Sequence, residues 1–346
     1  REASALAHDD CSELLSAHGM SRALSRRLDD FEDFQSAFAQ WKGEFRQMSR
    51  GKFQGTVQVA SGQRLRVFQA ETNQSILTRG IDSSSYMTFI PITARNAATV
   101  WQGRRLSEGQ LIIKRPDVAY HNQTGRNTTI RCLLVPAQTF QDAAHALGAN
   151  DAAADVASWT AVSPSPETMG KFERTLTTLL AKSMQEPGLL GSPDGDLLES
   201  ECLRRLIDAL VEPTADVQTR LHSFSRSMLV RRAVRFMHER LDQPLTALDL
   251  CAELGVSDRM LRRAFREAFG LGPLVYFRLM RMHEVRAALK AARGGDQAVT
   301  EIVRRWGFRR LGSFASEYHR QFGELPSETL GVRGWPGVQQ MTRRRV

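Results

Sequence analysis

Residues 249–273 of this 346-residue chain read DLCAELGVSDRMLRRAFREAFGLGP, and residues 301–326 read EIVRRWGFRRLGSFASEYHRQFGELP. The two segments share one pattern. The apolar positions from Leu261 to Pro273 reappear 53 residues later, and those just before them reappear 52 residues later. The second copy therefore has one extra residue in its turn. Compatible residues that keep their spacing over the whole pattern indicate two copies of one structural unit.

Each copy is predicted to form two helices joined by a tight turn. In the first copy Thr246 is placed to cap the first helix, and Gly255 supplies a turn in which positive φ is expected. Ser257 then caps a second helix whose apolar residues recur every four positions, so that one face is buried. In the second copy Gly307 takes the place of Gly255. A long amphipathic helix is predicted between the copies, over Leu274–Leu289.

The outward faces of the two second helices are polar, and that of the first copy is strongly basic. The Arg side chain has a rigid fork of donors that fits the edge of guanine and also binds phosphate. Residues early in the second helix of such a unit enter the major groove of DNA. The residues predicted to contact DNA from the first unit are Ser257, Arg259, Arg262, Arg263 and Arg266. Those predicted for the second unit are Arg309, Arg310, Ser313 and Ser316. The plainer alternative is an all-α bundle with a solvated basic surface.

The net charge of +9 is unevenly distributed along the chain. Residues 222–346 contain 23 Lys+Arg and 12 Asp+Glu, whereas residues 1–221 contain 24 Lys+Arg and 26 Asp+Glu. Such asymmetry indicates a module that binds a polyanion, attached to a nearly neutral domain. Net charge alone supports only non-specific, salt-sensitive attraction to DNA.

Upstream, the sequence pattern is that of a β-rich domain. Apolar residues at steps of three and four predict a helix over Phe31–Met48, after a loose arm. Short β-rich runs separated by Gly and Asn then predict a small antiparallel barrel or sandwich. The predicted strands are Phe53–Val59, Leu65–Ala70, Tyr86–Ile92, Ala98–Trp101, Leu111–Lys114 and Thr129–Val135.

Two amphipathic helices, Met169–Met184 and Asp196–Val211, are joined by a Gly/Pro-rich turn and predict a helical hairpin. Two interpretations of its leucine stripe are open. The hairpin packs on the barrel, or the stripe forms a dimer seam. The residues of that seam are Leu176, Leu179, Leu180, Leu203, Leu206 and Leu210.

A pattern of about a hundred residues runs through both copies of the repeat. It consists of Ala252–Glu253–Leu254, Ser257, Leu261, Phe265, Gly270, Pro273, Arg281, Gly307–Phe308, Phe314, Phe322–Gly323 and Pro326–Ser327. With these residues, 228–330 resembles the DNA-binding module of the AraC/XylS family of bacterial transcription regulators. The sequence departs from the family pattern at two places. Leu330 stands where the family motif usually ends in an aromatic–Arg pair, and the segment 310–314 is the second departure. Both departures, and the residues Trp41 and 51–55 upstream, resemble the ethanolamine-utilisation regulator branch.

The resemblance implies a cytoplasmic transcription regulator, an activator that acts as a homodimer on double-stranded promoter DNA with RNA polymerase as a partner. It also implies a cupin-like sensory barrel, followed by dimerisation helices. Two recognition helices per monomer would enter successive major grooves, about 34 Å apart. The long helix between the copies would act as a rigid spacer.

The predicted fold is α+β with two domains. A cupin-like β-barrel with a helical hairpin precedes an all-α module of two helix-turn-helix units joined by a long helix. The predicted segments are a loose N-terminal arm (1–30), a sensory domain (31–160), a dimerisation hairpin (161–221), a DNA-binding domain (222–330) and a basic tail (331–346).

Residues suited to catalysis or metal binding are sparse. A metal cupin needs several His and a carboxylate, whereas the predicted barrel contains His121 alone. The cysteines are scattered and fit a reducing cytoplasm, and no nucleophile motif or phosphate loop occurs. No apolar run is long enough to span a membrane. We expect no enzyme activity, metal or cofactor. The weaker alternative is a cupin-type enzyme with a nucleic-acid-binding module.

A small-molecule effector is expected to bind inside the barrel or between the barrel and the hairpin. The aromatic residues Tyr86, Phe89, Trp101 and Tyr120 are candidates to line the pocket, although strand aromatics are more often core. A constitutive regulator controlled by protein partners or abundance is the alternative. An apolar cavity with convergent polar groups would favour the ligand-gated regulator.

Overall fold

The computed structural model describes residues 22–38, 43–81, 85–211, 224–292 and 296–331. The chain divides into two compact units. The N-terminal unit contains residues 1–45 and 54–222, and the C-terminal unit contains residues 46–53 and 223–346. The inclusion of residues 46–53, here called the strap, in the C-terminal unit was not predicted from the sequence.

The N-terminal unit consists mainly of strands. They are β1 (Arg22–Leu28), β2 (Gly43–Gln47), β3 (Gly55–Ser61), β4 (Arg66–Thr72), β5 (Ile76–Ile81), β6 (Tyr86–Pro91), β7 (Val100–Trp101), β8 (Arg104–Arg105), β9 (Leu111–Lys114), β10 (Ala119–Gln123), β11 (Thr128–Pro136) and β12 (Ala161–Val162). Its helices are α1 (Phe31–Ala37), α2 (Ala137–Ala146), α3 (Asn150–Val156), α4 (Pro166–Gln185) and α5 (Pro193–Val211), with a 3₁₀ turn at Leu189–Gly191.

The strands form two sheets, so the predicted cupin-like barrel is not closed. One sheet has the order β1-β3-β4-β11-β6-β9-β12, and the other has the order β2-β5-β10-β7-β8. The pairs β1–β3, β3–β4, β4–β11, β6–β11 and β6–β9 are antiparallel. The first sheet ends at the two-residue strand β12, which is soon followed by Pro164 and Pro166. Proline has no N–H to donate, so the ladder is not extended at those positions.

Two predictions near the start of the chain are wrong. Residues 22–28 of the expected loose arm form β1 and pair with β3, while residues 1–21 lie outside the described residues. The helix predicted over Phe31–Met48 ends at Ala37, and β2 follows. The spaced phenylalanines still share one cluster. The ring centroids of Phe34 and Phe38 are 4.9 Å apart, and those of Phe38 and Phe45 are 5.2 Å apart.

The hairpin of α4 and α5 packs on the first sheet, so the interpretation of its leucine stripe as a dimer seam is wrong. Each stripe leucine is at most 4% exposed. All of them lie in one core cluster with strand residues such as Val67 and Phe89. Because these side chains are already buried within the unit, they are not available to a second subunit. The residues that are core rather than dimer seam are Leu176, Leu179, Leu180, Leu203, Leu206 and Leu210.

The described part of the C-terminal unit is helical apart from the strap. Its helices are α6 (Phe224–His238), α7 (Ala247–Leu254), α8 (Asp258–Phe269), α9 (Pro273–Ala291), α10 (Asp296–Arg305), α11 (Leu311–Phe322) and α12 (Pro326–Leu330). The pairs α7–α8 and α10–α11 are the two predicted repeat units, and α9 is the long helix between them. No helix in the described ranges is long and apolar enough to cross a membrane.

The strap is held against α9 and the end of α11 by reciprocal hydrogen bonds. Gln47 Nε2 donates to the carbonyl oxygens of Ser49, Gly51 and Gln321 at 2.9, 2.7 and 3.0 Å. Gln321 Nε2 in turn donates to the carbonyl oxygens of Gln47 and Ser49 at 3.2 and 3.1 Å. Arg46 pairs with Glu284 of α9 at 2.8 Å. Both amide side chains are buried, so these bonds fix the position of the strap.

Candidate nucleic-acid interface and effector pocket

The first helix-turn-helix unit is fixed by local hydrogen bonds that the sequence predicts. Thr246 N donates to Asp249 Oδ2 at 2.8 Å, and Asp249 N donates to Thr246 Oγ1 at 3.2 Å, which completes a capping box. The bonds from Thr246 lower the pKa of the Asp249 carboxyl. Gly255 ends α7 with a φ of 65°, and Ser257 Oγ accepts from Met260 N at the start of α8. The turn and both caps therefore set the direction of α8.

Helix α8 has one apolar and one basic face. Leu261, Phe265 and Phe269 are buried, and Phe269 stacks on Tyr276 of α9 with ring centroids 4.4 Å apart. The opposite face is exposed to solvent. Its exposed residues include the four predicted arginines, Arg259, Arg262, Arg263 and Arg266, together with Asp258, Met260 and Glu267. The structure thus places them together on one accessible surface.

Two of these arginines pair with carboxylates one turn away on the same helix. Arg262 Nε lies 2.7 Å from Asp258 Oδ2, and Arg263 Nε lies 2.9 Å from Glu267 Oε1. Each guanidinium side chain is more than half exposed. Exposed i,i+4 pairs contribute only about 0.3–0.5 kcal/mol each. Both arginines can therefore exchange these partners for phosphate or base oxygens at little cost.

Two arginines of α9 contact the segments packed around this helix, and one of them, Arg278, pairs with α11. Arg278 Nη2 lies 2.6 Å from Glu317 Oε2 of α11. Arg281 Nε donates to Leu241 O at 2.6 Å, and its guanidinium carbon lies 4.4 Å from the ring centroid of Phe277. A Cβ at Gly307, where φ is 80°, would lie 2.8 Å from Arg281 Nη1. Arg281, which is part of the sequence pattern shared with the family, therefore has a structural role: it holds Leu241 and packs against the turn at Gly307.

The polar side chains predicted on the second unit differ in how they are placed. Arg309, Arg310 and Ser313 are exposed, whereas Ser316 is half-buried. Ser313 Oγ donates to Arg310 O at 3.0 Å, and Ser316 Oγ donates to Gly312 O at 3.1 Å. No side chain caps the start of α11, and its first turn contains no acidic residue. This end of α11 is therefore more favourable to a phosphate than the start of α8, which contains Asp258.

A cavity of about 80 Å³ lies within the N-terminal unit. Its largest lining residues are aromatic: Phe34, Phe38, Phe45, Phe68, Trp101 and Tyr120. Trp101 and Tyr120 were predicted to line such a pocket, and they stack with ring centroids 6.4 Å apart. Phe89 packs instead on Phe140 in the core, and Tyr86 lies under the guanidinium of Arg66. The structure therefore brings together two of the four predicted residues.

The cavity also contains polar groups that the sequence analysis missed. Thr88 Oγ1, Trp101 Nε1 and Asn122 Oδ1 are buried and have no hydrogen-bond partner among the described residues. Lys114 is 5% exposed, and its Nζ lies 4.0 Å from the ring centroid of Tyr120. The signal available in the sequence was a charged residue at the end of the apolar strand Leu111–Lys114. Burial raises the pKa of the neighbouring Cys132 thiol to about 12, so this cysteine is a neutral part of the wall.

In the described part of the chain, no three His, Cys, Asp or Glu side chains are grouped closely enough to hold a metal ion. His121, the histidine considered at the sequence level, lies on β10 opposite Arg79 of β5.

Comparison with known proteins gives a family match for the C-terminal region. Residues 250–331 match the model of a helix-turn-helix domain. The probable thc operon regulatory protein of Rhodococcus erythropolis is 36% identical over 133 residues, which are 38% of this chain and 40% of that protein. The XylDLEGF operon transcriptional activator of Pseudomonas putida is 38% identical over 100 residues, which are 29% of this chain and 31% of that protein.

Among solved structures, the AraC-like transcriptional activator CuxR is similar with a TM-score of 0.42 and 14% identity, over 75% of this chain and 94% of that one. The chain spans less than half of the length of the two curated relatives just described.

Proposed function

We propose that the protein is a sequence-specific DNA-binding transcription regulator of the AraC/XylS type, because residues 250–331 match a helix-turn-helix domain and its relatives include named operon regulators. The observation that carries the proposal is the exposed arginine face of α8, placed on a capped helix after a tight turn. A second helix-turn-helix unit follows at the other end of α9. Two such helices in one compact unit are expected to enter successive major grooves on one DNA face.

In this proposal the two recognition helices have different tasks. Arg259, Arg262 and Arg263 contact base edges from α8, with Ser257 and Arg266 adding phosphate contacts. Arg309 and Arg310 supply phosphate or further base contacts from α11, and Ser313 and Ser316 supply base contacts. Both serine hydroxyls of α11 donate to their own helix, which leaves their oxygens as acceptors. The richer direct readout therefore belongs to α8.

The test is a binding-site selection with the full chain, repeated with Arg263→Ala. We expect a loss of about 1–3 kcal/mol and relaxed preference at one base pair, as for a bidentate guanine contact. The matched control is Arg235→Ala, which removes an exposed arginine of α6 outside both helix-turn-helix units. The control should weaken binding slightly and equally at all sequences. Wild-type affinity and site preference in the Arg263 variant would refute its assigned role.

We further propose that the N-terminal unit is an opened relative of the cupin-like barrel and that it senses a small molecule in the aromatic cavity. Three buried polar atoms that have no partner among the described residues support this role, because a cavity that served only as core would leave them unsatisfied. The prediction is that a bound effector changes DNA affinity or transcription. A constitutive regulator is the alternative, and it predicts that no cavity ligand changes either quantity.

The remaining parts of the proposal follow the family resemblance. The protein acts in the bacterial cytoplasm as an activator with RNA polymerase as a partner, and it acts as a homodimer through a surface not yet assigned. It is a binding protein rather than an enzyme, because the relatives reported above are named as regulators. Kinship with the ethanolamine-utilisation branch stays a prediction.

A further inference from the structure

The strap, the start of α9 and the end of α11 line a groove of about 470 Å³ within the C-terminal unit. One face of α9 forms its floor, since Leu274, Val275, Leu279 and Met282 lie at helical spacing and all line it. Leu279 and Met282, beside the part of α9 to which the strap bonds, are 4% and 8% exposed. Leu274 and Val275, nearer the start of α9, are 40% and 57% exposed. The apolar face is therefore buried toward the strap and open toward the start of the helix.

The open part of this face has the character of a binding surface. Leu274 and Val275 are consecutive exposed apolar residues that lie in a concave surface. Exposed apolar patches with a polar rim mark sites of interaction with other molecules. Met48 of the strap and Met282 line the same groove, and flexible thioether side chains adapt to the shape of a partner. Burial of these apolar side chains would stabilise a docked partner.

The rim of the groove is basic. Arg50 of the strap and Arg320 of α11 line it and are exposed, and neither has an ion-pair partner among the described residues. A third lining arginine, Arg278, pairs with Glu317 Oε2 at 2.6 Å, so these two charges offset each other. Arg50 and Arg320 therefore leave the rim positive, which favours an acidic partner and disfavours a basic one.

The size of the groove fits a row of about three large apolar side chains. A cavity of about 150 Å³ holds one benzene ring, and the groove, at about 470 Å³, has roughly three times that volume. An amphipathic helix presents such a row at positions i, i+4 and i+7 of one face, which span about 10 Å.

We propose that the groove binds an amphipathic helix of a partner protein. Its apolar residues enter the groove over Leu274 and Val275, and its flanking Asp and Glu side chains meet Arg50 and Arg320. The inference goes beyond the proposed function, since none of the residues that line the groove is among those assigned to DNA contacts.

Double-stranded DNA is the other class of partner that a basic rim attracts. A phosphate backbone would bring its negative charge toward the Glu317 carboxylate, which lines the groove between the arginines. It would also set a polar surface against Leu274 and Val275, whose burial would then gain little. The apolar floor therefore favours a protein helix over DNA.

The experiment selects binders from a displayed library of helical peptides of about 16 residues, with the full chain as the target. Peptides that bind the Val275→Glu variant are removed first, which discards those that bind elsewhere on the chain. The best remaining sequences are synthesised, and fluorescence anisotropy measures each Kd. We expect large apolar residues at i, i+4 and i+7, with an excess of Asp and Glu beside them. A selection that leaves no saturable binder, or binders with neutral or basic flanks, would overturn the proposal.

Two matched truncations locate the apolar contact. Leu274→Ala should raise the Kd of the selected peptide several-fold, because a side chain of the floor is lost. Leu248→Ala makes the same change at an exposed residue of α7 that does not line the groove, so its Kd should equal that of the wild type. Equal Tm values verify that both variants are folded. Equal peptide affinities of the two variants would overturn the proposal.

Charge reversals test the rim. The double variant Arg50→Glu/Arg320→Glu should raise the Kd at least about tenfold and remove the salt dependence of peptide binding. Arg231→Glu, which reverses an exposed arginine of α6 outside the groove, should have little effect. Wild-type affinity in the double variant would refute the acidic character of the partner.

DNA titrations of the same proteins separate the two classes of partner and the two proposals. A loss of DNA affinity in Leu274→Ala but not in Leu248→Ala would assign the groove to the DNA interface and overturn the helix assignment. Peptide binding without any sequence-specific DNA binding would refute the proposed regulator and leave the groove assignment standing. Sequence-specific DNA binding without peptide binding would refute the groove assignment alone.

Discussion

His283 is a buried histidine of α9. Its Nε2 lies 2.9 Å from Gln47 O, and because a carbonyl oxygen only accepts, this nitrogen bears the hydrogen. The ring also makes an edge contact with Phe322, with centroids 5.2 Å apart. Burial is the main cause that lowers the pKa of His283 to about 3, and the positive charges of Arg46 and Arg286 contribute to this shift. The imidazole is therefore neutral in the folded protein at pH 7.

This neutral histidine predicts acid sensitivity of the C-terminal unit. Between the unfolded pKa of about 6.5 and the folded pKa of about 3, the unfolded chain binds a proton that the folded chain does not. The free energy of unfolding should therefore fall as the pH is lowered through this interval, and His283 should have no effect above it. Urea unfolding at pH 7, 6 and 5 measures the decline in the free energy of unfolding, and hydrogen exchange of the α9 and α11 amides localises it to the C-terminal unit.

The matched variant is His283→Gln, whose amide can donate to Gln47 O and does not titrate. It should show a shallower decline with pH than the wild type. The same decline in both proteins would show that other groups cause the acid sensitivity.

At the residue scale, the sequence correctly predicted the features that depend only on neighbouring residues, namely the exposed face of α8 and the helix caps. The helical period puts the four α8 arginines on one face, and the cap residues Thr246 and Ser257 occupy the places expected of them. The polar cavity residues were missed because they lie on separate strands. Thr88 is on β6, Lys114 ends β9 and Asn122 is on β10. The pairing of β6 with β9 places Thr88 opposite Lys114, and Asn122 joins them from the other sheet.

Helix endings at the element scale depend on more than the local sequence. Helices α8 and α11 both end at a glycine in the left-handed region, with φ of 69° at Gly270 and 77° at Gly323. A Cβ at Gly270 would meet nothing within 4 Å. A Cβ at Gly323 would lie 2.7 Å from Lys52 N in the strap. The strap therefore places a second requirement on Gly323 that Gly270 does not have.

This difference predicts unequal effects of the same substitution. Gly270→Ala should cost about 1–2 kcal/mol, the usual penalty of a left-handed alanine. Gly323→Ala should cost clearly more, because the new methyl group meets the backbone of the strap as well. Chemical denaturation of both variants gives the two free energies. Equal losses of the free energy of unfolding would show that the strap moves to accommodate the methyl group at no energetic cost.

The segment from Phe31 to Gln47 shows why an element can be assigned wrongly. Its phenylalanines have helical spacing, yet α1 ends at Ala37 and β2 begins at Gly43. The rings of Phe34, Phe38 and Phe45 still meet in one cluster. Burial of the rings satisfies the apolar pattern in either conformation, so the pattern alone does not determine the backbone.

On the scale of the whole molecule, the uneven charge predicts which unit controls the salt dependence of DNA binding. The excess of basic residues belongs to residues 222–346. The slope of log K against log salt should become shallower by about 0.9 for each phosphate contact removed. The double variant Arg309→Ala/Arg310→Ala should therefore flatten the slope by up to about twice that value.

The control is Arg174→Ala, which removes an exposed charge from α4 of the N-terminal unit. Its slope should equal that of the wild type. A similar flattening by both changes would mean that total charge, rather than the placement of charge on the second helix-turn-helix unit, governs the attraction.

The strap is synthesised long before the helices that it packs against. Residues 46–53 leave the ribosome before any of residues 223–331 exist, although both belong to the same compact unit. A chain whose synthesis stops before Gln321 has the strap without the side chain that holds it. A chain started by internal initiation after residue 53 has both helix-turn-helix units without the strap. A nascent chain therefore completes its C-terminal unit only when the strap meets Gln321, which is synthesised much later.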